Sequence, residues 1–162
     1  MAELTTAQLA TLKADIIANT NQTVIDALAA GANNAIADWY SADTADYWVY
    51  RDLVPINEVS EAIELDDIAN MTTGDNEKLK TFYVIRQGGV FASKASDRTG
   101  FNDIFSAAAG DDSQQALIAL WKRIANELEK LFATGSGTNG SPSTTAVIGD
   151  CTLQNVRDAL AS

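Results

Sequence analysis

The sequence predicts an all-α or mainly α fold, organised as a compact multi-helix domain. We expect one long helix in its C-terminal half, an extended polar loop and a short terminal helix. Much of the apolar content of the 162 residues is alanine and only 7% are aromatic, which favours slim helices over a thick sheet sandwich. Apolar residues also recur at helical spacing along much of the chain. A chain of this length buries about two thirds of its unfolded surface, enough for one core without disulfides.

The N-terminal quarter predicts three helices. Thr5 and Gln8 stand at the spacing of a capping box, and apolar residues follow them at helical intervals. Gly31 is a natural stop between the second and third helices. The three predicted helices span 6–18, 24–30 and 32–40.

The middle of the chain combines an aromatic cluster with shorter helical patterns. Residues 47–50, "YWVY", form the densest aromatic group, and four residues cannot decide between an extended segment and a helical turn. Pro55 suits the first turn of a helix, and Asp97 is a candidate cap. The segment "ELDDIANMTTGDNEK" is predicted to be a polar connector. The predicted helices span 55–63, 76–87 and 97–109.

The strongest helical pattern covers residues 111–134. Asp111, Asp112 and Ser113 supply acidic and capping groups at its amino end. Six apolar residues at helical spacing predict its buried stripe, which consists of Leu117, Trp121, Ile124, Leu128, Leu131 and Phe132. We therefore expect one continuous helix here.

A polar segment, "GSGTNGSPSTT", separates this pattern from the chain end. A possible extended piece at 146–148 and a helix capped by Thr152 follow it. No internal repeat or change of composition marks a domain boundary. We expect a helical core at 1–134, with the loop and terminal helix at 135–162 belonging to the same domain.

The charge is strongly negative, with 22 acidic and 11 basic residues and a net charge of −11. Such a surface repels phosphates, so direct DNA or RNA binding is not expected. The charge is compatible with two roles. It can simply maintain solubility, or it can let DNA slide past without sticking.

The residue types argue against catalysis. The chain has no histidine, which removes the commonest general base and transition-metal ligand, and Cys151 has no histidine to activate it. The paired carboxylates at 66–67 and 111–112 do not follow the ligand spacing of a calcium loop. We expect no enzyme activity and no cofactor or metal. An enzyme would have to use carboxylates such as Glu64, Asp66 or Asp67.

Two features remain without a role in this scheme. The aromatic group around Trp48 can be core or a contact surface for a ligand or partner. The polar loop is long for a compact domain, and loops of this length are often mobile or functional. A single short terminal helix is not stable alone and must dock somewhere, so the loop is more than a free linker. We expect neighbouring chains to hold the loop in place.

Three segments resemble a group of small virion proteins of long-tailed bacteriophages. They are "TTAQLATLKADIIAN", "DYWVYRDLVPINEV" and "ELEKLFATGSGTNGSPSTTAVIGDCTLQNVRDAL". Members of the group similarly begin with a "TxAQLxxLKADI" helix, carry an "FWVWR"-like segment, and end with "EKLFATGTG", a proline-containing loop and a final helix. The likeness covers most of the chain outside residues 64–110.

The resemblance implies a structural protein of the virion neck, made in the host cytoplasm. It would be a head-tail adaptor of the head-completion type, forming a homo-oligomeric ring that commonly follows the twelvefold portal. Its partners would be the portal protein and tail or stopper proteins, with DNA passing through an acidic lumen. The alternatives are a tail or capsid-decorating subunit, or a cytoplasmic binding or regulatory module.

No apolar stretch approaches the length of a membrane span, and no signal peptide is expected.

The resemblance also assigns contact residues. The matched positions are Trp48, Val49, Arg51, Leu131, Phe132, Ala133, Thr134, Gly135, Gly137 and Pro142. Subunit or partner contacts are expected at Trp48, Tyr50, Arg51, Thr134, Gly135, Gly137, Asn139 and Pro142.

Overall fold

The computed structural model describes residues 3–105 and 111–162. About 57% of the chain is helical, in ten helices within the described residues, and two small two-stranded sheets accompany them. The fold is therefore mixed α/β, though mainly helical, and the all-α prediction was wrong. The clearest departure is the aromatic segment, whose β-branched and aromatic residues suit a strand.

The helices vary from single turns to 13 residues. They are α1 (Thr6–Ala18), α2 (Gln22–Ala29), α3 (Asn33–Ser41), α4 (Ile56–Glu61), α5 (Leu65–Asn70), α6 (Thr73–Ile85), α7 (Ala95–Ile104), α8 (Asp111–Leu120), α9 (Glu127–Leu131) and α10 (Leu153–Ala161). The strands are β1 (Asp43–Tyr50), β2 (Lys122–Asn126), β3 (Ala133–Thr134) and β4 (Thr144–Thr145). Strand β1 pairs with β2, and β3 pairs antiparallel with β4.

The chain divides into two compact units. Unit 1 comprises residues 1–49 and 124–162, and unit 2 comprises residues 50–123. Unit 1 is thus discontinuous in sequence, and both chain crossings between the units fall inside β1 and β2. The sequence-based domain bounds, 1–134 and 135–162, stay a prediction.

The core of unit 1 is built by α1, α2, α3 and α10 with the start of α9. Helix α10 packs against α1 and α3. Its largest fully enclosed side chains are Leu12, Ile16, Val24, Ile36, Tyr40, Leu128 and Val156. The capping box of Thr5 and Gln8 begins α1, and the predicted bounds of this helix are confirmed. Thr152 caps α10 as predicted, with Asn155 completing a capping box.

Unit 2 has its own apolar core, centred on aromatic rings. Phe101 lies 4.4 Å from Phe82 and 5.4 Å from Trp121, measured between ring centroids. A short antiparallel bridge between Val54 and Val90 closes one side of this core. The buried apolar residues of unit 2 therefore form one contiguous hydrophobic core.

The predicted long helix at 111–134 was wrong. The segment is divided into α8, β2 and α9, because its apolar residues are buried in two different hydrophobic cores. Leu117 and Trp121 lie in the core of unit 2, whereas Leu128 lies in that of unit 1. Asn126 starts α9 with a capping box, accepting from the Glu129 amide at 2.8 Å.

Several shorter elements also differ from the prediction. The expected polar connector contains α5 and the first turn of α6. Asp97 does not cap α7; its carboxylate is buried and binds Arg86 instead. The extended piece lies at β4 and not at 146–148. The end of the helix predicted at 97–109 lies outside the described residues.

Candidate functional site

The polar loop lies along the β1 strand of its own chain. The Trp48 amide donates to the Gly137 carbonyl at 2.7 Å, and the Ser143 amide donates to the Trp48 carbonyl at 2.9 Å. Val49 and Ser143 form a parallel bridge. These bonds satisfy backbone groups of β1 that would otherwise need another partner.

The loop packs against β1 most closely where Gly137 contacts the Tyr47 ring. Gly137 is buried and has a φ of +66°, and a Cβ at this position would lie 2.2 Å from the Tyr47 ring. The Tyr47 hydroxyl is 3.0 Å from the Ser143 hydroxyl, so the tyrosine also holds the returning arm of the loop. Only glycine combines this backbone conformation with this approach.

The remaining loop residues on the predicted contact surface are more exposed. Thr134 pairs with Thr144 across β3 and β4, and Gly135 packs against Ser143. Asn139 lies exposed in the turn at the tip, and Pro142 is half-buried. The loop thus has contacts within its own chain, and the expectation that neighbouring chains also hold it stays a prediction.

The predicted contact residues Tyr50 and Arg51 belong to unit 2, whereas Trp48 and the loop belong to unit 1. The Arg98 guanidinium lies 3.7 Å from the Tyr50 ring centroid, a cation–π contact. Arg51 forms a bidentate pair with Glu58, with N–O distances of 2.6 and 3.2 Å. This bonding to Arg51 lowers the pKa of the Glu58 carboxyl. Tyr50 and Arg51 thus have partners inside their own unit.

A polar pocket in unit 1 was not anticipated from the sequence. It lies among the ends of α1 and α3 and helix α9, with a volume of about 400 Å³. The pocket is lined by Asp15, Asn19, Trp39, Tyr40, Glu127, Lys130 and Leu131. The four-residue spacing of Asp15 and Asn19 was a usable signal that both face one side of α1.

Tyr40 organises the floor of this pocket. Its hydroxyl donates to the Asp15 carboxylate and accepts from the Asn19 amide at 3.3 Å. Burial, followed by the bond to Asp15, raises the pKa of Tyr40 far above its usual value, so the phenol stays protonated. Trp39 packs edge-on against Tyr40 at 4.8 Å between centroids. Across the pocket, Lys130 pairs with Glu127 at 3.3 Å.

An apolar groove in unit 2 lies between α6 and α7. It has a volume of about 540 Å³, and its apolar lining includes Phe82, Ile85 and Ile104. Gly100 brings the helices close, because a Cβ there would lie 2.7 Å from the Phe82 ring. Ile85 is 64% exposed and the adjacent Val84 is 68% exposed, so this end of α6 presents apolar surface to solvent.

No group of three or more metal-ligating side chains is found in residues 3–105 and 111–162. Within the same ranges, no helix combines the length and apolar character that crossing a bilayer requires. Cys151 is buried, and burial raises the pKa of its thiol to about 12.

We therefore expect Cys151 to be inert towards thiol reagents in the native protein at neutral pH. The nucleophile is the thiolate, and a thiol with a raised pKa is almost entirely protonated at pH 7. A disulfide-exchange assay should detect no thiol before denaturation and one per chain after it. Rapid labelling of the folded protein would contradict this assignment.

Comparison of the chain with protein-family models, curated protein sequences and solved structures finds no significant match.

Proposed function

We propose that this protein is a structural head-tail adaptor of a long-tailed bacteriophage, assembling as a ring between portal and tail. The observation that carries the proposal is the resemblance of the three quoted segments to the phage group. Those segments fall mainly on α1, β1 and the run from α9 to α10. They are structural segments, so the proposal concerns assembly and not chemistry.

The distribution of charge supports this role. Unit 1 has ten acidic and three basic residues, whereas unit 2 has twelve acidic and eight basic residues. An acidic wall repels the DNA backbone and so lets DNA pass without binding it. In the proposed ring, unit 1 therefore suits the lumen better than unit 2 does.

The loop supports the proposal only in a limited way. Hydrogen bonds within its own chain hold the loop on β1. The ordered conformation of the loop is therefore not evidence for contacts with neighbouring chains. Its exposed tip, with Asn139 and Gly140, is the part available to a portal or tail protein. We place the expected partner contacts at this tip and not at the buried Gly137.

The test is the position of the chain in the particle. Electron microscopy of the virion, with antibody or tag labelling of this protein, should show rings between portal and tail. In a second arm, the purified chain should bind purified portal and adopt its symmetry. Labelling spread over the capsid or along the tail would overturn the adaptor assignment and favour the decorating or tail subunit.

The α6–α7 groove favours a second candidate, a small-molecule or regulatory binding module. Its apolar lining and size are those of an ordinary ligand site. A chain that stays monomeric with portal present, and whose Trp121 emission changes on adding an apolar ligand, would support this candidate. Trp121 is a suitable reporter because its ring packs against Phe101 beside the groove residue Phe82.

A further inference from the structure

Arg157 is an unusual basic residue in this acidic chain. Across residues 3–105 and 111–162, it is the one arginine for which the structure gives no ion pair, hydrogen bond or ring contact. It lies exposed on α10, next to Asp158. An exposed guanidinium without an internal partner is available to another molecule.

The other two basic residues of unit 1 are already engaged. Lys13 donates to the carbonyl of Ser162, and Lys130 pairs with Glu127. Unit 1 therefore has a single cation without an internal partner among its described residues, set against ten carboxylates in the unit. Arg157 is the group most able to neutralise a carboxylate site on a neighbouring copy.

The polar pocket of unit 1 is such a site. Asp15 and Glu127 contribute two carboxylates and Lys130 one ammonium, so the lining keeps one negative charge in excess. The half-buried Trp39 provides an aromatic wall beside them. A guanidinium suits this lining better than an ammonium, because its planar fork binds carboxylate and stacks on indole.

We infer that Arg157 of one copy inserts into the Asp15–Glu127 pocket of the next copy in the ring. This contact rests on the proposed assembly and deepens it by naming the subunit interface. Donor helix α10 and the acceptor pocket are different surfaces, the head-to-tail arrangement that closes into a ring.

The experiment reverses the charges of the pair in the full-length chain. Arg157→Glu and Glu127→Arg should each weaken self-association about tenfold or more, the effect of losing one charge-assisted contact of about 1.4 kcal/mol. Mass photometry and sedimentation over a concentration series measure the loss. Lys80→Glu is the matched control: it makes the same charge change on the exposed face of α6 in unit 2 and should leave association unchanged.

Two rescue arms test whether the contact joins different copies. The double variant, Arg157→Glu with Glu127→Arg, should recover association, because the pair is restored with its signs exchanged. An equimolar mixture of the two single variants should also associate more tightly than either variant does alone. Rescue in the mixture cannot come from a pair formed inside one chain.

The outcomes separate this inference from the proposed function. A wild-type chain that forms rings, with Arg157→Glu forming them equally well, overturns the Arg157 contact and leaves the adaptor proposal standing. A change in monomer stability without any change in association also overturns it, since the arginine would then act within its own chain. A wild-type chain that stays monomeric at every concentration and with portal overturns the ring itself.

Discussion

Replacing Asp97 with asparagine is expected to lower the free energy of unfolding of unit 2 by about 2 to 4 kcal/mol. Asp97 is only 1% exposed, and Arg86 binds it with two hydrogen bonds of 2.8 and 3.0 Å. The Phe91 amide donates to the same carboxylate at 3.2 Å. An amide side chain keeps the shape but leaves the Arg86 charge without its counter-ion.

The measurement is denaturant unfolding followed by Trp121 fluorescence. Trp121 is the single tryptophan of unit 2, so replacing Trp39 and Trp48 with phenylalanine leaves a probe for that unit alone. Glu58→Gln is the control, because it removes a carboxylate from another bidentate arginine pair that is more exposed. Glu58→Gln should lower the free energy of unfolding much less than Asp97→Asn does. Equal losses in the two variants would contradict the importance of burial.

The same pair predicts a dependence on pH. Burial alone raises the pKa of the Asp97 carboxyl, but the bonds from Arg86 and the Phe91 amide outweigh it and the net shift is downward. The stability from this group is therefore complete above the unfolded-state value of about 3.9 and is lost as pH falls below it. The difference between wild type and Asp97→Asn should shrink below about pH 4. A constant difference down to pH 2 would rule out this titration.

Replacing Gly137 with alanine should release the loop from β1, at a cost of about 2 to 4 kcal/mol. Alanine disfavours the φ of +66°, and its Cβ would overlap the Tyr47 ring at 2.2 Å. Hydrogen exchange should report the release, because the Trp48 and Ser143 amides lose their loop and strand partners. Protease cleavage within the loop should accelerate in parallel.

Gly140→Ala is the matched control for the loop. No atom lies within 4 Å of a Cβ at this position, and its φ is not in the left-handed region. Its exchange rates should equal those of the wild type. Adding Tyr47→Ala should remove the steric part of the Gly137→Ala cost and leave the backbone part, about 1 kcal/mol. Unchanged protection in Gly137→Ala would contradict the close contact.

Local signals predicted the ends of the chain well. The capping residues Thr5 and Thr152, followed by apolar residues at helical spacing, located α1 and α10. The 111–134 pattern failed because periodicity reports that residues are buried but not in which core. Asn126 and Glu129, at capping-box spacing, were the signal that a new helix begins.

The candidate sites were harder to predict from sequence. The pocket assembles Asp15, Tyr40 and Glu127 from three helices, and no local pattern relates residues so far apart in the chain. The loop contact depends on Tyr47 meeting Gly137 across 90 residues. Glycine and serine in the loop indicated flexibility, whereas the packing onto β1 uses the missing Cβ of Gly137 to allow close approach.

The discontinuity of unit 1 has a consequence for synthesis on the ribosome. Residues 50–123 are contiguous and can collapse as soon as they emerge, whereas residues 1–49 must wait for 124–162. Helix α10 is synthesised after α1 to α9, yet it packs against α1, so α1 depends on α10 for part of its burial. Long sequence separation slows such pairing. Until α10 has emerged, α1 exposes apolar surface, and a nascent chain stalled before Thr152 should bind chaperones through its N-terminal segment.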